Sequence, residues 1–170
     1  MVKKTSKSTY NTAWYALALS RILLGFVFLW AFLDKTFGLG FATAADKAWV
    51  AGGSPTTGFL LKGVNADGPF ASFFNNLAGS SVIDFLFMAG LLGIGLALIL
   101  GVGLRIAAVA GTALMLMMWA ALLPLENNPL VDDHIVYAAL LWVIAAGRRE
   151  FSLANWWTNL DFVKKNKWLW

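Results

Sequence analysis

The chain has 170 residues, room for one domain. Apolar residues make up 59% and charged residues 13%, against about half and a quarter in soluble domains, which excludes a water-soluble globule and leaves lipid as the solvent. The net charge of +4 sits beside apolar runs, which fits an anionic membrane surface rather than nucleic acid, and the lack of cysteine excludes disulfides, thiolate zinc sites and thiolate-held iron–sulfur clusters within the chain.

A bilayer core about 30 Å thick needs roughly 20 helical residues. Residues 14–33 supply 20, with Arg21 their only charge. Lys3, Lys4 and Lys7 before this run imitate a signal peptide. The run is too long for one and ends in Asp34-Lys35 rather than a small-residue cleavage site, so it is expected to stay as an anchor. Arg21, Gly25, Phe28, Phe32 and Lys35 fall on one face of this helix, a cation near each end and aromatics between. Such a wall suits a flat quinone ring with carbonyl acceptors, with Lys35 or His134 as donor. The simpler account is that Arg21 and Lys35 snorkel to opposite interfaces.

Residues 36–81 are too many for a simple loop. Gly52-Gly53-Ser54-Pro55 and Asp67-Gly68-Pro69 punctuate them, with short helical candidates at 43–50, 56–62 and 69–77. The segment reads as an extracytoplasmic cap at headgroup level, serving as a lid, a partner surface or a plug.

The second and third spans, 82–100 and 104–123, meet at Gly101 and Gly103, which permit a tight turn. Ala89, Gly93, Ala97 and Gly101 form a small-residue stripe that Ala107 and Gly111 of the third span answer, as in a packing seam between helices in lipid. The fourth apolar run, 135–146, is short. Asn128 as N-cap and Pro129 as first helical residue extend it to 129–147, which just spans. The tail, 148–170, places Leu153, Trp156, Trp157, Leu160 and Val163 on one face ahead of Lys164, Lys165 and Lys167. It is expected to be an amphipathic interfacial helix, or alternatively an aromatic docking site for a soluble partner.

Ten Lys and Arg residues fall on the side of the termini and three on the other, while seven of the nine acids fall opposite. The positive-inside rule then sets both termini in the cytoplasm. The expectation is an all-α, four-transmembrane-helix bundle in the cell membrane (domain 1–147), with the cap between helices one and two and the cytoplasmic tail behind it.

Chemistry is expected at the outer end, where Asp34, Lys35, Asp84, Glu126, Asp132, Asp133 and His134 gather, with all but Asp84 as catalytic candidates. Ionisable groups at membrane depth default to function, although carboxylates also suit the first turn of a helix for its dipole. His134 is a candidate proton relay or quinone hydrogen-bond partner. No metal is assigned: three consecutive helical residues point about 100° apart and do not converge on one ion. One histidine excludes bis-His haem. No span carries a charge at its centre, which argues against a transporter.

Several segments in order carry a family likeness. They are Ser20-Arg21-Ile22-Leu23-Leu24-Gly25-Phe26-Val27-Phe28 with Lys35, then Gly95-Leu96-Ala97-Leu98-Ile99-Leu100-Gly101 with Arg105. Glu126-Asn127-Asn128-Pro129, Asp132-Asp133-His134, Gly147-Arg148 and Ser152-Leu153 follow. In these the chain resembles the DoxX family, and within it the small DoxD-type subunit of thiosulfate:quinone oxidoreductase. The resemblance implies a four-helix membrane subunit that works with other membrane chains and passes electrons to quinone, with a sulfur compound such as thiosulfate as donor. The alternative is a non-catalytic accessory subunit that helps assemble a larger membrane complex.

Overall fold

A computed structural model describes the backbone of residues 5–169 and the side chains of residues 11–169. Lys3, Lys4 and the side chain of Lys7, which enter the charge argument, lie outside these. The described residues form helices and turns only: α1 (Thr5–Phe37), α2 (Thr57–Lys62), α3 (Ala71–Asn75), α4 (Ser81–Leu100), α5 (Leu104–Ala121), α6 (Asp133–Ala146), α7 (Ala154–Asn159) and α8 (Asp161–Lys165), with 3-10 turns at Ala45–Lys47, Trp49–Ala51 and Lys167–Leu169. Three helices are long and apolar enough to cross a membrane, at Asn11–Phe37, Ser81–Leu100 and Leu104–Ala121.

α1 packs chiefly on α4 and α5 on α6, while α4 touches α5 and α1 touches α6, so the four longest helices close a ring. Its interior holds Leu24 and Phe28 from α1, Met88, Leu91, Ile94 and Leu98 from α4, Ala108, Leu114 and Met115 from α5, and Ala138, Leu141 and Ile144 from α6. Leu19, Leu23, Phe26, Phe85, Leu86, Val109, Met117, Val136 and Val143 point outward and stay exposed. A soluble protein does not leave such residues uncovered on every helix. The chain is built for lipid.

The hairpin between α4 and α5 forms at the two expected glycines, Gly101 at φ 70° and Gly103 at φ 59°. The small-residue stripe does not act as foreseen. Ala89 and Gly93 are exposed, and a Cβ on Gly93 would meet nothing within 4 Å. The close approach is instead between α1 and α4. A Cβ on Gly95 would lie 2.8 Å from the Leu29 nitrogen, and one on Gly25 2.9 Å from Leu98 Cβ. Two glycines facing across one contact let the backbones meet.

The last helix starts later than the Asn128-Pro129 pattern suggests. The Asn128 Oδ1 accepts from the Leu130 and Val131 N–H groups, each at 2.9 Å, and is used up in a local turn. The N-cap is Asp132, extended at φ −127° and ψ −171°, whose carboxylate accepts from the Ile135 N–H. α6 therefore has 14 residues. The tail is also not one helix: Leu160, at φ −65° and ψ 132°, breaks it between α7 and α8. The chain then folds back, and the Trp157 indole donates to the Leu169 carbonyl at 3.0 Å.

Candidate functional site

Each end of the bundle is held by a buried ionisable side chain. At the end carrying the termini this is Arg21, 2% exposed. Its Nη1 donates to the Leu98 and Ile99 carbonyls, and its Nη2 to those of Glu150 and Phe151 at 3.1 and 2.9 Å. A helix leaves its last four carbonyls without partners, and α4 satisfies all of them. Ala97 accepts from Gly101 and Val102, Leu98 and Ile99 accept from Arg21, and Leu100 accepts from Leu153. The fork of the guanidinium bridges α4 to the segment after α6, and its charge suits a helix C-terminus. Gly101 makes this possible, since a Cβ there would lie 2.6 Å from Arg21 Nη1.

At the cap end the pins are carboxylates. Asp34, also 2% exposed, accepts from the Phe41 and Ala42 N–H groups at 3.2 and 3.0 Å. An acid in the last turn of a helix opposes the dipole, and these bonds to the returning chain offset that. Asp84, 7% exposed, accepts at Oδ1 from the Ser54 hydroxyl, the Thr56 N–H and the Thr56 hydroxyl. Both pins tie the cap to the membrane helices. The sequence sets Asp84 with the other ionisable groups of this end but does not reveal its partners, which lie about thirty residues away and share no local spacing with it.

The inward face of α1 that looked like a quinone wall is a packing face. Phe28 is buried in the core and Phe32 packs against it. Gly25 meets α4, and four donor bonds of Arg21 go to carbonyls. Lys35 is half-buried, with its ammonium 6.0 Å from the centre of the Phe87 ring. Gly25, Phe28 and Arg21 of that face are thus engaged in packing and hydrogen bonds within the bundle.

The remaining candidates come together on the other side of the cap end. A cleft of about 690 Å³ is bounded by Lys62 and Asn65 of the cap, Glu126 and Asn128 of the connecting loop, and Asp132 and Asp133. Glu126 and Asp133 are exposed, Asp132 and His134 half-buried. The His134 Nδ1 lies 2.8 Å from Asp132 Oδ2 and 3.5 Å from Asp133 Oδ1. Burial pushes the Asp132 carboxyl up, but hydrogen bonds from the His134 ring and the Ile135 and His134 N–H groups, together with the charge of His134, outweigh it and hold it below the usual carboxylate range.

Three consecutive helical residues would point too far apart to share one ion. Asp132 is extended rather than helical, so one ligand atom from each of Asp132, Asp133 and His134 falls within 4.8 Å of the others. Two carboxylates and an imidazole are a donor set for a divalent cation, and equally a hydrogen-bonded dyad with a neighbouring charge. An ionised Asp132 is an acceptor only, so the contact suits the tautomer that carries its proton on Nδ1. With Nδ1–H directed at Asp132, Nε2 is the basic nitrogen, and the carboxylate steadies the ring when it is charged. No family model, curated protein or solved structure matches the chain.

Proposed function

We propose that the chain is a DoxX-like membrane subunit of a quinone-linked oxidoreductase complex, and that its Asp132–His134 dyad moves the proton that accompanies electron transfer. In this reading the chain crosses the bilayer four times, α6 being the fourth crossing, with both termini in the cytoplasm and the cap outside. The observation that carries the reading is the 2.8 Å contact between His134 Nδ1 and Asp132 beside a polar cleft at the cap end of the bundle. The likeness of the segments around Arg21, Arg105 and Asp132-Asp133-His134 to the DoxX family supports it.

A quinone, when bound, supplies an electron-accepting ring whose carbonyl oxygens take up protons on reduction. The residues of this chain do the rest of the work assigned here. Asp132 orients the imidazole. Nε2 gives up its proton toward the cleft and is recharged from the aqueous side past Asp133 and Glu126, both exposed. Electrons come from partner chains, with a sulfur compound such as thiosulfate as the donor class.

The test is donor-dependent quinone reduction in membranes holding the native complex. General acid–base groups contribute about 10²–10⁴-fold, so His134→Ala should lower the rate on that scale, with Asp132→Asn intermediate. Equal rates in parent and His134→Ala complexes would refute the assignment.

A second reading is a non-catalytic assembly subunit. It is favoured by Arg21, Asp34 and Asp84 each making internal hydrogen bonds, and by Phe41, Phe70 and Phe73 standing exposed on the cap. Purification in mild detergent should then retain partner chains, and exposed-to-Ser changes at Phe70 and Phe73 should release them while His134→Ala leaves activity intact.

A further inference from the structure

The chain leaves α1 by turning back on it. Gly38, at φ 63°, ends the helix, and its N–H donates to the Asp34 carbonyl at 2.8 Å. Gly40, at φ 86°, makes the next turn, its N–H on the Thr43 carbonyl at 3.0 Å. The loop so formed carries Phe41 back along the helix, where its ring meets that of Trp30 edge-on at 5.1 Å. Trp30 lies seven residues before the end of α1 at Phe37, about 10 Å along the axis, and inside the apolar span Asn11–Phe37. Phe41 is nevertheless 75% exposed, more than any other large apolar side chain among the described residues.

Trp30 belongs to a stripe. Leu19, Leu23, Phe26, Trp30 and Phe37 recur at i, i+4, i+7, i+11 and i+18, which at about 100° per residue gathers them on one face. All but the half-buried Trp30 are at least 53% exposed. No charged residue of α1 between Leu19 and Phe37 is exposed. The rings of Phe26 and Trp30 lie 5.8 Å apart, so Phe26, Trp30 and Phe41 form one row.

We infer that residues 38–42 lie in the cap-side leaflet at the boundary of headgroups and acyl chains, with the Phe41 ring among the chains as an extension of the lipid-facing stripe of α1. The occupant follows from continuity. Lipid covers the stripe, and Phe41 is seated on a member of it below the end of the helix. An irregular backbone at that depth needs hydrogen-bond partners of its own. The Phe41 and Ala42 N–H groups have theirs in the buried Asp34 carboxylate, at 3.2 and 3.0 Å. Asp34 thus supplies acceptors where water is scarce. The inference rests on the chain being embedded in lipid and is independent of the redox reading.

The chain has no cysteine, so Phe41→Cys, Phe26→Cys and Asp46→Cys each introduce a single thiol for a nitroxide label. The labelled full chains are placed in phosphatidylcholine vesicles. Collisions with molecular oxygen, which concentrates in lipid, and with a water-soluble nickel chelate are then measured by electron paramagnetic resonance. Phe26, in the middle of the stripe, sets the lipid standard, and Asp46, whose side chain is 73% exposed, the aqueous one. The oxygen-to-nickel ratio at Phe41 should be shifted from the Asp46 value toward that of Phe26. A ratio at the Asp46 value would overturn the inference, and so would low access to both reagents, the mark of a partner protein lying over Phe41. A Phe26 label that favours nickel would overturn it together with the lipid-facing assignment of α1, which separates the two failures. The unaltered chain gives a second measurement that no substitution disturbs. A phosphatidylcholine with a diazirine on its acyl chain, photolysed in the same vesicles, should attach within tryptic fragment 36–47 at Phe41 as well as to α1. Attachment to α1 with none at 38–42 would overturn the inference.

Discussion

Replacing Arg21 by Met tests the structural logic of the bundle most directly. The side chain is 2% exposed and donates four hydrogen bonds to backbone carbonyls. Bonds from a charged donor contribute about 1.5–3 kcal/mol each, and four of them added without correction would rival the whole net stability of a typical domain. They do not simply add. Only the Leu98 bond is fully buried, while the other three reach carbonyls at a partly open surface where water can substitute. The comparison that applies is the removal of one partner from a buried charged network, about 3–5 kcal/mol. Met fills the volume but leaves the Leu98 and Ile99 carbonyls at the end of α4 without donors. At about 2–4 °C per kcal/mol for a chain of this length, the midpoint of thermal unfolding in detergent should fall by roughly 6–20 °C. Arg21→Lys should fall by less: the charge stays near the helix terminus, but one ammonium does not reach both pairs of carbonyls. A midpoint for Arg21→Met within about 2 °C of the parent, less than one kcal/mol on that scale, would refute the view that this residue holds α4 to the segment beyond α6.

The cap should loosen when its pin is cut: Asp84→Ala leaves the Ser54 and Thr56 donors unpaired at a cost of about 1–3 kcal/mol, read as faster hydrogen exchange across 54–62 with little change in α5. Gly95→Ala places a methyl against the α1 backbone at Leu29 and should destabilise by about 1–3 kcal/mol, whereas Gly93→Ala, with open space around it, should leave the midpoint unchanged or slightly raised; similar losses for both would refute the α1–α4 contact. Asp132 is held below the usual carboxylate range, so its contribution is complete above the unfolded value near 3.9 and is lost as pH falls through the lower folded value. Asp132→Ala should therefore cost about 1 kcal/mol at pH 7 as a lost N-cap, and the gap from the parent should close in strongly acidic buffer; a gap independent of pH would count against the capping role.

Much of the fold was legible because it depends on short-range signals. Apolar runs of 19 or 20 residues placed α4 and α5 nearly to the residue, and Gly101 and Gly103 marked their turn because both need positive φ. What was illegible depended on pairs distant in sequence. The partners of Arg21 lie 77 to 130 residues away, and a lone Arg near a helix end reads locally as a snorkelling cation. The stripe of Ala89, Gly93 and Ala97 satisfied the spacing rule for a seam, yet Gly95, off the stripe, makes the contact. Spacing identifies a face, and the neighbour's shape decides which face is used. At the site, the sequence gathered Glu126, Asp132, Asp133 and His134 correctly at one end. It misjudged the convergence of the last three, because Asp132 rather than Asn128 caps the helix and is therefore extended rather than helical.

The distance between the pins matches the length of α6. Arg21 and Asp34 bound the apolar part of the inward face of α1 and are 13 residues apart, about 20 Å along the axis. On α4, Asp84 and the Leu98 carbonyl are 14 residues apart, about 21 Å, and the 14 residues of α6 measure the same. The outward faces run longer: exposed large hydrophobic residues on α1 extend from Tyr15 to Phe37, about 33 Å, enough to cross a bilayer core. Lipid tolerates no unsatisfied polar group on the outside, whereas the inside accepts polar backbone and charge wherever protein supplies the partners. The loop between α5 and α6 has such partners at its start and middle. The Asn65 backbone and side chain donate to the Ala121 and Pro124 carbonyls, and the Trp119 indole to that of Leu130. The 14 residues of α6 thus match the length between the buried polar pins of α1 and α4.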